Sequence, residues 1–181
     1  MILGIVGTSG LFPRLVDALA LWKQERPESE VWVQHCGMTK LPPGLRGAAM
    51  APREEIVERL RQAEAVVCHA GTGTLYDALT AGHVPVVLAR RHHLREHVND
   101  HQLEIVRTLR KAGRIIEASG PDDIVFAIEN SRRRRGEGHA GVSRDLIDAL
   151  RSEFAGVSRS RGRWTRVLRW LPVRNYPSIK A

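Results

Sequence analysis

Residues 65–88, AVVCHAGTGTLYDALTAGHVPVVL, contain two strand-length apolar runs separated by a glycine-rich turn and a helix-length stretch. The runs 65–68 and 85–88 have the length and apolar content of buried strands. Between them, Leu75, Ala78 and Leu79 recur at helical spacing, and Gly82 is a favourable residue for ending that helix. Strands connected through a helix lie parallel in one sheet, so this segment predicts an α/β fold.

The same alternation of strand and helix continues on both sides of this segment. Further strands are predicted at 2–6, 31–35 and 114–117, and helices at about 11–22, 53–62, 100–112 and from 121 onward. The segments 37–51 and 89–98 are polar or rich in Gly and Pro and are predicted to be loops. The pattern predicts a Rossmann-like parallel sheet with helices on both faces.

The positive charge of the chain is concentrated at one end. The 181 residues include 28 Lys and Arg against 20 Asp and Glu, a formal net charge of +8. From Arg159 onward there are seven cations and no acid, so the preceding residues carry only +1. A near-neutral body has no broad field that attracts a polyanion, which argues against a general nucleic-acid-binding protein. We predict one domain, residues 1–155, and a basic amphipathic tail, residues 156–181.

The apolar segments are too short for a membrane-spanning helix, which needs about 18 consecutive apolar residues. The amino terminus has neither the basic region nor the cleavage site of a signal peptide, and two isolated cysteines cannot make a disulfide framework. We therefore expect a protein of the reducing cytoplasm.

Two glycine-rich turns follow predicted strands. They are Gly7-Thr-Ser-Gly10 and Gly71-Thr-Gly-Thr74. Such turns before a helix present free backbone N–H groups to anions, although a glycine turn can also be a purely steric requirement. Neither turn fits GxxxxGK[ST] or GxGxxG, which disfavours a nucleotide triphosphatase and a dehydrogenase.

The residues around the second turn resemble a known family. His69-Ala-Gly-Thr-Gly-Thr-Leu-Tyr-Asp-Ala-Leu-Thr-Ala-Gly-His-Val-Pro85, followed by Asn99-Asp-His-Gln102 and Glu104, resembles the donor-binding half of MurG-like GT-B glycosyltransferases, the family 28 C-terminal domain. The resemblance covers about residues 1–131. It is closest to the small soluble subunit of two-component transferases of PssE type and their eukaryotic dolichol-pathway counterpart.

This resemblance implies a UDP-sugar as donor substrate, no protein-bound cofactor, and a set of donor-binding residues. Asp77 would accept the ribose hydroxyls, although the family usually has Glu there; a helix-dipole carboxylate is the alternative. Gln102 would contact the sugar, and Asn99 would hold its loop or cap a helix. The diphosphate would be bound by Thr8, Ser9, Gly71, Thr72, Gly73 and Thr74.

Histidines and arginines near these turns have several possible roles. His69 is the candidate catalytic residue, because an imidazole near a diphosphate can balance charge or move a proton. Arg90 can bind the diphosphate or a sugar carboxylate, or it can belong to a solvated loop. Adjacent histidines suggest a metal, but no HExxH or Cys/His spacing is present, so we predict no metal site.

The resemblance covers one half of a two-domain enzyme. It implies that a membrane-anchored subunit binds a lipid-linked sugar acceptor and supplies the general base for an inverting transfer in polysaccharide synthesis. A non-catalytic nucleotide-sugar-binding or scaffold subunit is the alternative.

The tail has an apolar stripe beside its arginines, which is typical of a helix on an anionic membrane surface. Packing on a partner or on its own domain, a disordered arm, or RNA binding are alternatives. The tail residues expected to contact the membrane or a partner are Trp164, Leu168, Trp170 and Leu171. We expect the protein to lie on the cytoplasmic face of the inner membrane.

Overall fold

The short apolar runs form the strands of one parallel sheet in the computed structural model, which describes residues 1–98 and 100–139. The strands among these residues are β1 (Ile2–Ile5), β2 (Val31–Gln34), β3 (Arg46–Ala48), β4 (Ala65–His69), β5 (Val86–Leu88) and β6 (Ile116–Glu117). Their spatial order is β3-β2-β1-β4-β5-β6. This is the order of a doubly wound sheet.

Helices connect the successive strands except β2 and β3, which are joined by the loop 35–45. Their bounds are α1 (Pro13–Glu25), α2 (Arg53–Gln62), α3 (Thr72–Thr80), α4 (His101–Lys111) and α5 (Pro121–Arg133), with short 3-10 helices at His92–Leu94 and Glu137–His139. Pro occupies the start of α1 and of α5, where its missing N–H costs nothing. Asp123 accepts bonds from the N–H groups of Ser119 and Gly120, which fixes the start of α5.

The core lies where α1 and α5 cover one face of the sheet. Trp22 from α1 and Ile128 from α5 pack with alternate strand residues such as Val33 and Val67, and all four side chains are fully buried. Alternation along each strand turns the intervening residues to the opposite face. The parallel sheet and the helices that connect its strands confirm the predicted α/β, Rossmann-like fold.

The direction of winding reverses between β1 and β4. These strands pair in parallel, with Ile2 opposite Ala65 and Ile5 opposite Cys68. The turn after β1 and the turn after β4 therefore leave the sheet side by side at its carboxyl edge. Ligands of doubly wound proteins bind in the crevice at this position.

Among the described residues, one strand, β3, is not predicted by the sequence pattern. β3 lies inside segment 37–51, which the sequence predicts to be a loop. The pattern does not reveal this strand because Arg46, Gly47 and Ala48 form no apolar run, and the strand is partly exposed at the sheet edge. A side chain at Gly47 would collide with the backbone of Val33, so glycine permits this pairing.

The described residues belong to one compact unit, Met1–Ser143, and the second unit, Arg144–Ala181, lies outside them. The predicted boundary between residues 155 and 156 and the predicted tail contacts of Trp164, Leu168, Trp170 and Leu171 also lie outside the described residues, so they stay predictions. In the described part of the chain, every helix is too short or too polar to cross a bilayer.

Candidate functional site

The two glycine turns and His69 meet at the point where the winding reverses. His69 ends β4, and its imidazole lies between the turns. A methyl group at Gly7 would lie 2.5 Å from His69 Cε1 and Nε2, and one at Gly71 would collide with Nε2. Gly7 also has φ +84, which disfavours any side chain. Both glycines are therefore required by the position of the imidazole.

The second turn leads into a helix start that has the properties of an anion site. Gly71 precedes α3, and no side chain caps the helix amino terminus. Thr72, Gly73 and Thr74 are the first residues of the helix, where N–H groups lack intrahelical acceptors and the helix dipole is positive. Gly73 is exposed, and a methyl group there would meet nothing within 4 Å. This arrangement can bind a phosphate group.

Thr8 and Ser9 are exposed on the first turn at the same edge of the sheet. The structure thus brings six of the predicted donor-binding residues to one crevice, beside His69. Their contact with a donor stays a prediction.

His69 is an uncharged imidazole at neutral pH. Its pKa is lowered from 6.5 to about 4, chiefly by burial and also by the positive charge of Arg90 and by His97, while a hydrogen bond with the Ile5 carbonyl partly opposes this shift. The imidazole can accept a proton or a hydrogen bond. The other predicted role, balancing diphosphate charge as a cation, would require an anion to raise this pKa first.

The position of Arg90 corrects the prediction that it binds the donor from a cationic loop. Its side chain is 1% exposed, and its guanidinium lies 4.5 Å from the Phe12 ring centre. Nη1 donates to the carbonyl oxygens of Leu11 at 2.8 Å and Glu96 at 3.1 Å. Nη2 donates to those of Val6 at 2.9 Å and Gly10 at 2.7 Å. These contacts bind the backbone around the first glycine turn.

A second arginine, which the sequence reasoning did not single out, holds the loop after β5. Arg14 binds the Glu96 carboxylate through Nε at 2.9 Å and Nη2 at 2.7 Å, and Nη2 also donates to the Ala89 carbonyl at 2.7 Å. Burial raises the pKa of Glu96, but hydrogen bonds from Arg14 and from the Arg91 N–H outweigh it and leave that pKa below its ordinary value. No local motif marks Arg14 or Glu96, because they are far apart in sequence.

The carboxylate of Asp77 is paired with Arg53. Both of its oxygens accept from this guanidinium at 2.8 Å, and the Asp77 side chain is 13% exposed against 65% for Arg53. Arg53 begins α2, so this pair connects two helices beside the second glycine turn. Each carboxylate oxygen keeps a second lone pair, so ribose hydroxyls could bind beside Arg53 or in its place, and the ribose role stays a prediction.

Gln102 is buried at 4% exposure, and its Oε1 accepts from the backbone N–H of Arg90 at 3.0 Å. The amide oxygen therefore connects α4 to the end of β5, which differs from the sugar-reading group expected from the resemblance. Asn99 lies outside the described residues.

The clustered histidines form no recognisable metal centre. Within residues 1–98 and 100–139, no group of three or more His, Cys, Asp or Glu side chains is arranged to hold a metal ion. His83 is 1% exposed, and its Nε2 lies 2.6 Å from the Leu60 carbonyl oxygen, a structural contact.

Comparisons with known proteins agree with this geometry. Three solved structures share the fold: the glycosyltransferase of kitacinnamycin (18% identity, TM-score 0.58, covering 87% of this chain and 42% of that one), CalG4, the calicheamicin glycosyltransferase (18%, 0.57, 87% and 44%), and Acinetobacter baumannii MurG (21%, 0.54, 75% and 43%). The chain thus spans less than half the length of these structures. No curated protein matches it.

The model of the glycosyltransferase family 28 C-terminal domain matches residues 23–132, more than half of the chain. The match includes His69, the second glycine turn, Asp77 and Gln102, and it begins after the first glycine turn. The protein, a half-length GT-B fold with both glycine turns at its switch point, belongs to the glycosyltransferase family 28 C-terminal domain family.

Proposed function

We propose that this chain is the donor-binding catalytic subunit of an inverting glycosyltransferase that takes a UDP-sugar as donor. The observation that carries the proposal is the meeting of the two glycine turns around the neutral imidazole of His69, in a chain of this family. Backbone N–H groups at the start of α3 are suited to the diphosphate of such a donor. The transferred sugar would be glucuronic acid, glucose or N-acetylglucosamine.

The reaction is a displacement at the anomeric carbon. An acceptor hydroxyl forms the new C–O bond, the bond to the diphosphate oxygen breaks, and UDP leaves with the electron pair. The N–H groups of Thr72, Gly73 and Thr74 would stabilise the charge that develops on this leaving group. The hydroxyl proton goes to a general base, which we assign to the partner subunit.

A partner is proposed because the resemblance is to one half of a two-domain enzyme; the chain spans less than half the length of the structures it matches. Exposed apolar side chains also occur on the segments that follow β1, β3 and β5 at the carboxyl edge of the sheet: Leu11, Met50, Leu94 and Val98. We expect a membrane-anchored subunit that binds a lipid-linked acceptor, as in polysaccharide synthesis, and a location on the cytoplasmic face of the inner membrane.

Calorimetry with UDP tests the donor site. Asp77→Ala should weaken UDP binding about a hundredfold or more if the carboxylate binds ribose, because two hydrogen bonds to a charged group are lost. Arg53→Ala is the matched control, since it breaks the same ion pair but keeps the carboxylate. Equal UDP affinity of wild type and Asp77→Ala would remove the ribose role, and absence of UDP binding by the wild type would remove the proposed function.

A non-catalytic nucleotide-sugar-binding or scaffold subunit is the second candidate. The occupied carboxylate of Asp77 and the buried amide of Gln102 favour it. Transfer assays with the reconstituted partner discriminate the two: turnover that survives His69→Gln and Gln102→Ala unchanged favours the scaffold.

Membrane contact through Trp164 and Leu168 is tested by retention of the full chain on anionic vesicles. Leu168→Glu should abolish this retention.

A further inference from the structure

The guanidinium of Arg90 binds both ends of the first glycine turn. A single nitrogen, Nη2, donates to the carbonyl oxygens of Val6, before the turn, and Gly10, at its end. Nη1 donates to Leu11, the next residue. Thr8 and Ser9 lie between these attachment points and are exposed. The conformation of the exposed part of the turn is therefore set by one buried side chain.

Peptide geometry carries this control to the N–H groups of the turn. In a trans peptide the C=O and the following N–H point in opposite directions. With the Val6 and Gly10 carbonyls directed at the guanidinium, the N–H groups of Gly7 and Leu11 point away from it. A loss of these hydrogen bonds would let both peptides rotate, and the N–H directions would change with them.

Arg90 is itself held from three sides. The guanidinium lies over the ring of Phe12, and the backbone N–H of Arg90 donates to Oε1 of Gln102. These two contacts fix the position of Arg90. Nη1 also donates to the carbonyl of Glu96, whose carboxylate is bound by Arg14. The end of β5, the loop after it and the first glycine turn are thus joined through one guanidinium.

Lysine cannot reproduce this arrangement. Four carbonyl oxygens surround a planar fork of donors, whereas an ammonium offers three donors from one point. The position therefore requires arginine for geometry as well as for charge.

We propose that Arg90 is a positioning residue that holds the first glycine turn, residues 7–10, in the conformation that receives the diphosphate of a nucleoside diphosphate donor. The proposal rests on the proposed function for the identity of the ligand. The hold on the turn does not depend on it.

The experiment compares wild type with Arg90→Lys and Arg90→Gln. Arg135→Gln is the matched control, because Arg135 also donates to two backbone carbonyls, those of Ala81 and Arg61, but lies among residues that form no part of the crevice. Amide hydrogen exchange of residues 7–11 measures the hold on the turn, and calorimetry with UDP and with uridine separates diphosphate binding from nucleoside binding.

Both Arg90 variants should exchange faster at residues 7–11. Their UDP affinity should fall about tenfold or more, and their uridine affinity less than about threefold, because only the diphosphate contacts the turn. A nuclear magnetic resonance titration of His69 adds a spectroscopic signature: its pKa should rise in Arg90→Gln and stay low in Arg90→Lys, which keeps the charge. Arg135→Gln should match wild type in all these measurements.

Unchanged exchange and UDP affinity in the folded Arg90 variants would overturn the proposal, and so would equal losses for UDP and uridine. A wild type that binds neither compound would refute the proposed function, and hydrogen exchange would still decide whether Arg90 holds the turn. If neither variant folds, the Arg90 η-hydrogens are observed by nuclear magnetic resonance in the wild type. Separate, slowly exchanging signals support the hydrogen bonds between Arg90 and the turn, and rapid averaging of the signals overturns them.

Discussion

At the residue scale, the site is determined by the small volume of two glycines. Gly7 and Gly71 face the His69 imidazole from two different turns, and neither position has space for a side chain. The sequence predicts the turns, the helix start and the histidine that follows the strand. It does not reveal that His69 also contacts Gly7, because these two residues are 62 positions apart in the sequence.

The contact between Gly71 and His69 predicts a difference between two glycines of one turn. Gly71→Ala should destabilise the protein by about 1–3 kcal/mol, because the added methyl group displaces the half-buried ring of His69. Gly73→Ala, where the space is open, should change stability by less than about 1 kcal/mol, in the stabilising direction expected inside a helix. Urea unfolding of both variants measures this difference. Equal stability of the two would contradict the proposed packing.

Burial of His69 predicts a pH dependence of stability. The folded pKa of about 4 lies below the ordinary 6.5, so the unfolded chain binds the proton more tightly. The stabilising contribution is present above pH 6.5 and is lost as the pH falls toward 4, a total of about 3 kcal/mol. As the pH is lowered from 6.5 toward 4, the free energy of unfolding should decrease less steeply for His69→Gln than for wild type. Unfolding measurements at several pH values test this.

The exposed His93 provides the control for this measurement. His93→Gln should keep the steep wild-type decrease, because the imidazole of His69, with its lowered pKa, is still present. Identical pH profiles of His69→Gln and wild type would contradict a low pKa for His69.

At the level of single helices and strands, apolar periodicity predicts the helices and the central strands. The differences lie in polar segments, which carry no apolar period. The predicted strand 114–117 is reduced to Ile116–Glu117, and β3 was missed because an edge strand needs no apolar run. The loop after β5 was expected to be a cationic surface. Its first arginine is buried instead, because four carbonyl oxygens and the Phe12 ring replace the water around the guanidinium.

The start of α5 gives a prediction for a single helix end. Asp123→Ala should destabilise the protein by about 1 kcal/mol, because the N–H groups of Ser119 and Gly120 lose their acceptor. Asp122→Ala removes a charge from the same turn without removing these hydrogen bonds, so its effect should be smaller. Thermal unfolding of both variants measures the difference. A larger loss for Asp122→Ala would refute the capping role of Asp123.

At the scale of the whole molecule, the order of the strands decides where chemistry can occur. The sequence indicates that strands alternate with helices, but spatial order depends on long-range pairing, which local patterns do not encode. The observed reversal between β1 and β4 brings the two glycine turns together. The chain belongs to the glycosyltransferase family 28 C-terminal domain family, and it spans less than half the length of the structures it matches.

We propose that a nucleoside diphosphate binds where the two glycine turns meet. Titration of isotope-labelled wild type with UDP, followed by backbone amide chemical shifts, tests this binding. We predict saturable shifts concentrated at residues 7–10 and 69–77, and much smaller shifts at the opposite edge of the sheet, near Gly82 and Gly113. Absence of saturable shifts, or shifts concentrated at that opposite edge, would contradict the claim.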